Sequence, residues 1–197
     1  GSSRILAKYY GFNVTGITIS SAQVKRAKEL TPCGLNCNFQ VMDALDLKFE
    51  DGSFDAVWSV EAGAHMNDKV KFADEMLRTL RPGGYLALAD WNSRDLSAYP
   101  PSLFERWVLK QLLEQWVHPN FISIKEFGNI LRTNKNSAGR VISANWNSYT
   151  NPSWYDSIFE GIRRPSAILS LGPLAIVKSI REIPTILLMN LSLIHIS

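Results

Sequence analysis

Residues 51–92 read DGSFDAVWSVEAGAHMNDKVKFADEMLRTLRPGGYLALADWN, and their pattern is strand, helix, strand. The run FDAVWSV, Phe54–Val60, predicts a strand that stops at Glu61. Lys69–Leu80 predicts a helix with Val70, Phe72, Ala73, Met76, Leu77 and Leu80 on its buried side. RPGG then ends the helix, because proline cannot continue it and glycine accepts a left-handed turn. YLALADW supplies the next strand.

The same alternation extends upstream. Ser2–Tyr10 predicts a helix opened by a glycine and two serines, and Asn13–Ile19 a buried strand. Ser21–Leu30, capped by Ser-Ser and rich in Gln, Lys, Arg, Ala and Glu, predicts a helix with a solvated face. Phe39–Met42 makes a further strand ending at Asp43. Strands alternating with helices define an α/β fold with a parallel sheet covered by helices.

Downstream the pattern becomes helical. Leu103–Val117 and Ile124–Leu131 predict helices and Val141–Trp146 a strand. Trp154–Arg163 and Ser166–Arg181 read as helices, with IPTILLMNL (Ile183–Leu191) as a closing strand. Such an insert serves as a lid, a substrate wall or simple packing. We therefore divide the chain into 1–94, a ligand-binding half, and 95–197, substrate-side helices with the last strands of the same domain.

At 197 residues the length suits one domain with a substantial core. The net charge of +3 is spread along the chain, which argues against a nucleic-acid footprint. Cys33 and Cys37 have no histidine or second cysteine pair beside them, so they read as reduced bystanders rather than a zinc site or disulfide. The apolar stretches 166–177 and 184–196 fall short of the ~20 residues that span a bilayer.

Ligands of an open α/β sheet sit outside the carboxyl ends of its strands. Those ends are Thr18-Ile19-Ser20, Asp43-Ala44, Glu61 and Asp90-Trp91. A single acid there is more often a cap or a solvated loop residue, but three at one sheet edge suggest a shared cleft.

Three stretches carry a family resemblance: GSSRILAKYYGFNVTGITIS…AQVKRA, DALDLKFEDGSFDAVWSVEAGAHM and LRPGGYLALADWN. They resemble successive motifs of class I S-adenosylmethionine-dependent methyltransferases, whose sheet is Rossmann-like. WSVEAGAHMNDK, ADWNSRDL, QWVHP, WYDSIFEGIRRP and VKSIREIPTILLM narrow the resemblance to the tocopherol methyltransferase group of cyanobacteria and plastids. The resemblance implies that a first strand and earlier glycines belong in front of Gly1, and the closing SLIHIS departs from the group's text.

Carried over position by position, the resemblance implies that Gly1, Ser2 and Ser3 lie beside the methionine moiety of S-adenosyl-L-methionine. Thr18, Ile19 and Gln23 would line the ribose, where many relatives place an acid instead. Asp43 would accept from the adenine amino group while the Ala44 N–H meets the ring. Ser59, Val60 and Glu61 would lie beneath the sulfonium. The implied acceptor is a hydrophobic phenol methylated on a ring carbon, and the implied location is cytoplasmic or peripheral to a membrane.

A phenol has a pKa of about 10, so a base that titrates near neutrality assists its ionisation. His65 follows Glu61 by four residues, which puts both on one helical face if a helix starts there. His65 is the catalytic candidate, against a packing role; His118, before Pro119, is a substrate-side candidate or a helix cap. Among six tryptophans, most of which belong to a core, Trp91 at a strand end is the one expected to face substrate. Arg163, Arg164, Lys178 and Arg181 flank an apolar run broken by Gly172 and Pro173. That run suits a wall for a phytyl-like tail, a helix at a membrane interface over 163–181, or core packing. Alternative readings are a sterol-type or other small-molecule methyltransferase, an NAD-type dinucleotide-binding domain, and a non-catalytic piece of a longer enzyme.

Overall fold

The computed structural model describes residues 1–137, 139–150, 152 and 190–196. The helices expected over 154–163 and 166–181 lie outside them. Two compact units emerge, Gly1–Glu50 and Asp51–Ser197.

In the first unit, α1 (Ser2–Tyr10) ends at Gly11, whose φ of 71° is the left-handed turn that a Cβ disfavours. β1 (Val14–Thr18) and β2 (Cys37–Val41) pair in parallel from Val14 opposite Cys37 to Thr18 opposite Val41. The crossover is α2 (Ser21–Glu29), started by the Ser20 hydroxyl, which accepts from the Gln23 N–H. Gly16 lets β1 pass its neighbour, because a Cβ there would sit 2.9 Å from Phe39 Cδ1. Both cysteines are free thiols.

The second unit holds a four-stranded sheet in the order β3-β4-β6-β5. β3 (Phe54–Val60) runs parallel to β4 (Leu80–Asn92), and α3 (Lys69–Thr79) connects them. After β4 come α4 (Leu103–Trp116), α5 (Ile124–Thr133), β5 (Val141–Asn145) and β6 (Asn190–Ile196). β6 inserts between β4 and β5 and is antiparallel to both. The sheet is therefore mixed rather than all parallel: β6 runs against both of its neighbours, β4 and β5.

The DGSFD and RPGG segments occur together because they touch. The Gly52 N–H donates to the Arg78 carbonyl at 2.9 Å, and Arg78 holds Asp51 at 2.7 Å. Arg81 pairs with Asp55 at 2.8 Å. A Cβ on Gly84 would press within 2.8 Å of the Asp55 carbonyl oxygen. RPGG is thus a bulge at the start of β4: Phe54 faces Leu80, yet Ala56 already faces Tyr85. Helix α3 has ended before it, at Thr79.

Along β4 every second residue is buried, from Gly84 through Leu86, Leu88 and Asp90 to Asn92. With Phe72, Ala73, Met76, Leu77, Phe127 and Leu131 they form the core of this unit. Val70 departs from expectation, being 54% exposed in the first turn of α3, whereas Thr79 is buried. Burial of Thr79 is tolerated because its hydroxyl donates to the Glu75 carbonyl at 3.0 Å. Trp58, Trp107 and Trp146 are exposed rather than core residues.

Candidate active site

In the first unit, Gly1 precedes α1 and no side chain caps the helix, so Ser2 and Ser3 present first-turn N–H groups. The structure joins Thr18 to Gln23: the threonine hydroxyl donates to the glutamine Oε1 at 2.7 Å and accepts from the Ser20 N–H at 3.2 Å. Ile19 beside them is 77% exposed. Past β2, Asp43 Oδ1 accepts from the Leu45 N–H at 2.8 Å, which forms a tight turn around Ala44.

In the second unit, Ser59 and Val60 complete β3. Glu61 keeps the ladder going, its N–H donating to the Ala89 carbonyl at 2.8 Å, but its φ is 55°. That left-handed residue breaks the helical register on which a shared Glu61–His65 face depended. Only a single 3-10 turn follows, Gly63–His65, so the two side chains do not lie on one helix. This corrects the expectation from spacing.

His65 meets His118 instead. Their ring centroids are 4.1 Å apart with planes at 24°. His118 reaches the stack because α4 ends abruptly: Val117 is left-handed (φ 53°) and the His118 N–H turns back to the Leu113 carbonyl at 3.0 Å. Phe121 backs the His118 ring at 5.3 Å. A cavity of about 550 Å³ opens beside His118, lined also by Asn67, Lys69, Leu113, Pro119 and Ile122. Burial, then the neighbouring His65 and the Lys69 charge, push the His118 imidazole below its usual 6.5, against a hydrogen bond to the Ala64 backbone.

Asp90, which sequence reasoning noted at a strand end but did not assign, is central to this unit. It is 3% exposed. Its carboxylate accepts from the Trp91 N–H at 2.9 Å and from the Ala64 N–H. Burial raises its pKa to about 6 in spite of these bonds and the Lys69 charge. The signal that finds it is the alternation Leu86, Leu88, Asp90, which points its side chain inward. Trp91 lies on the opposite, half-buried face of β4. Lys69 was also missed. Its ammonium donates to the carbonyls of Gly63 at 2.6 Å, Ala64 at 3.1 Å and Met66 at 2.7 Å. Desolvation lowers its pKa, and Asp90 works the other way.

The far end of α4 is anchored too. Arg94 forks onto Glu105 at 2.7 and 3.0 Å, and Glu105 completes a capping box with Ser102. These bonds hold the Glu105 carboxyl down to about 2.

Likeness to known proteins supplies the class of domain. Residues 1–88 match the methyltransferase domain family. The chain is 55% identical over 192 residues to the 2-methyl-6-phytyl-1,4-hydroquinone methyltransferase of Synechocystis sp., covering 98% of this chain and 60% of that protein. It is 39% identical to the chloroplastic tocopherol O-methyltransferase of Arabidopsis thaliana over 78% of this chain and 45% of the relative. In fold it is similar to the Haemonchus contortus phosphoethanolamine N-methyltransferase 2 in complex with S-adenosyl-L-methionine, with a TM-score of 0.78 at 17% identity, covering 100% of this chain and 45% of that one. Over residues 1–88 the chain carries the methyltransferase domain, and over 98% of its length it is similar to the tocopherol-like methyltransferases. It spans less than two thirds of the length of the curated relatives it matches.

Proposed function

We propose that the protein methylates a ring carbon of a prenylated phenol or hydroquinone, with His65 as the base that takes the ring hydroxyl proton. The supporting observation is the His65–His118 stack, whose His118 member lines a cavity large enough for a phenolic ring. His118 lines that cavity and is the substrate-side residue of the pair. Trp91, on the opposite face of β4 from Asp90, is not among the residues that line this cavity.

The first unit's donors suit the cofactor chemically. N–H groups at Gly1–Ser3 suit a carboxylate, the Thr18–Gln23 pair suits ribose hydroxyls, and Asp43 with the Ala44 N–H suits adenine. Ile19 offers apolar cover there; in the second unit, Ser59 and Val60 close β3 and Glu61 follows it. S-adenosylmethionine supplies a methyl on a positive sulfur, a strong leaving group. The chain's own task is alignment: it holds the ring in line with that methyl and removes the hydroxyl proton, which makes the carbon nucleophilic. Bound S-adenosylmethionine would give its methyl to that carbon and leave as the neutral thioether, and the carbon's own proton would pass to solvent, which restores the aromatic ring.

The 163–181 segment, proposed from its sequence as tail wall or membrane contact, lies outside the described residues. Among the described residues no helix is long and apolar enough to cross a membrane.

The test supplies the protein with methyl-labelled S-adenosylmethionine and a phytyl hydroquinone, and locates the label by NMR. A new ring C–CH₃ is expected. A methyl ether, or label only on non-phenolic acceptors, overturns the reading.

A further inference from the structure

A 3-10 turn of three residues cannot hold itself. It has few internal hydrogen bonds, and here it follows a left-handed glutamate and begins with a glycine. Yet it carries His65. Two charged side chains grip it, one for each kind of backbone group. The Asp90 carboxylate takes the Ala64 N–H, and the Lys69 ammonium takes the carbonyls of Gly63, Ala64 and Met66. Each grip has a firm base. Asp90 stands on the buried face of β4 with Leu86 and Leu88, and Lys69 is the first residue of α3, whose Phe72, Ala73, Met76 and Leu77 are buried. Gly63 fits between them because it has no side chain: a Cβ would collide with Asp90 Oδ2 and lie 3.1 Å from Phe72 Cε1.

We propose that Lys69 and Asp90 are positioning residues that lock the Gly63–Met66 turn and so hold His65 against His118. The link to His118 is direct. The Ala64 carbonyl that Lys69 holds at 3.1 Å also serves the His118 imidazole. Movement of that one peptide shifts both histidines at once. Removing a buried charge from water is costly unless hydrogen bonds repay it, and here the bonds, apart from the Trp91 N–H on Asp90, go to one loop. The assignment deepens the base reading above and takes its functional meaning from it.

The histidine ring signals of the ligand-free protein test the geometry, and turnover tests its use. In Lys69→Met and Asp90→Ala, the mutual ring-current shifts of His65 and His118 collapse, while Lys69→Arg retains them because a guanidinium still donates to several carbonyls. kcat falls on the order of 10- to 100-fold in the first two variants, with KM for S-adenosylmethionine nearly unchanged, and recovers in Lys69→Arg. Native ring shifts in folded Lys69→Met and Asp90→Ala overturn the proposal. Collapsed shifts with unchanged turnover uphold the positioning and instead defeat His65 as the base. Should both variants fail to fold, hydrogen exchange of the Ala64 amide in the unaltered protein decides: strong protection is expected, and exchange at the rate of an open loop overturns the proposal.

Discussion

The imidazoles of His65 and His118 stack with centroids 4.1 Å apart, although one follows β3 and the other closes α4. Two rings so close do not carry two protons easily. His118 is already pushed below 6.5 by burial and then by His65. In His65→Asn, the His118 pKa rises, read from its ring signals across a pH series. The sign for stability follows from linkage. Unfolded His118 binds a proton near 6.5 while the folded group binds it only at lower pH, so its contribution is full above 6.5 and fades as pH falls through that window.

Asp90 acts in the opposite sense. Its folded pKa of about 6 lies above the usual 3.8, so the folded chain keeps a proton that the unfolded chain has released. Stability from this group is complete below 3.8 and declines as pH rises to about 6, by roughly 3 kcal/mol for a shift of about two units. Asp90→Asn removes that slope. Urea unfolding from pH 3.5 to 7 should show the variant gaining on the parent by up to about 3 kcal/mol.

Gly63→Ala drives a methyl group against the Asp90 carboxylate and Phe72. Overpacking of this kind costs about 1–3 kcal/mol. Denaturant midpoints measure the loss, and the His65 ring signals should move with it.

Val117 is 85% exposed and holds φ at 53°, a conformation that a β-branched residue resists. Val117→Gly relieves about 1–2 kcal/mol of backbone strain and loses about 0.5–1 kcal/mol to unfolded-chain entropy. A small gain in Tm is expected, with the His65–His118 contact unchanged. A fall in Tm contradicts this account of how α4 ends.

The strands and most helices were legible because burial leaves a period in the sequence. β3 was read with the same bounds, Phe54–Val60, and α1 as Ser2–Tyr10. The family was legible from motifs whose spacing reflects contact, as Asp51 with Arg78 and Asp55 with Arg81 now show. The position of β6 between β4 and β5 was not, since local pattern carries no information on which strands become neighbours.

The candidate site was legible in part. His65 and His118 were both singled out, but their contact is long-range and a helical spacing rule misdirected His65 toward Glu61. Thr18 and Gln23, named together for the ribose, are hydrogen-bonded to each other because a capped helix start fixes their distance. Lys69 escaped notice because a lysine that opens a helix is ordinarily a solvated one. Its role depends on three carbonyls that only the folded turn brings within reach.

The contacts between the start of β3 and the end of α3 reach beyond this one chain. Asp51, Gly52 and Asp55 fit Arg78, Arg81 and Gly84 as two halves of a clasp. A chimera that imports only one of these stretches from a distant homologue inherits half a fastening, and its sheet would misalign at the first rung even with every core residue intact. Exchanging both together transfers the joint whole, so they form the smallest cassette at which such hybrids can be spliced.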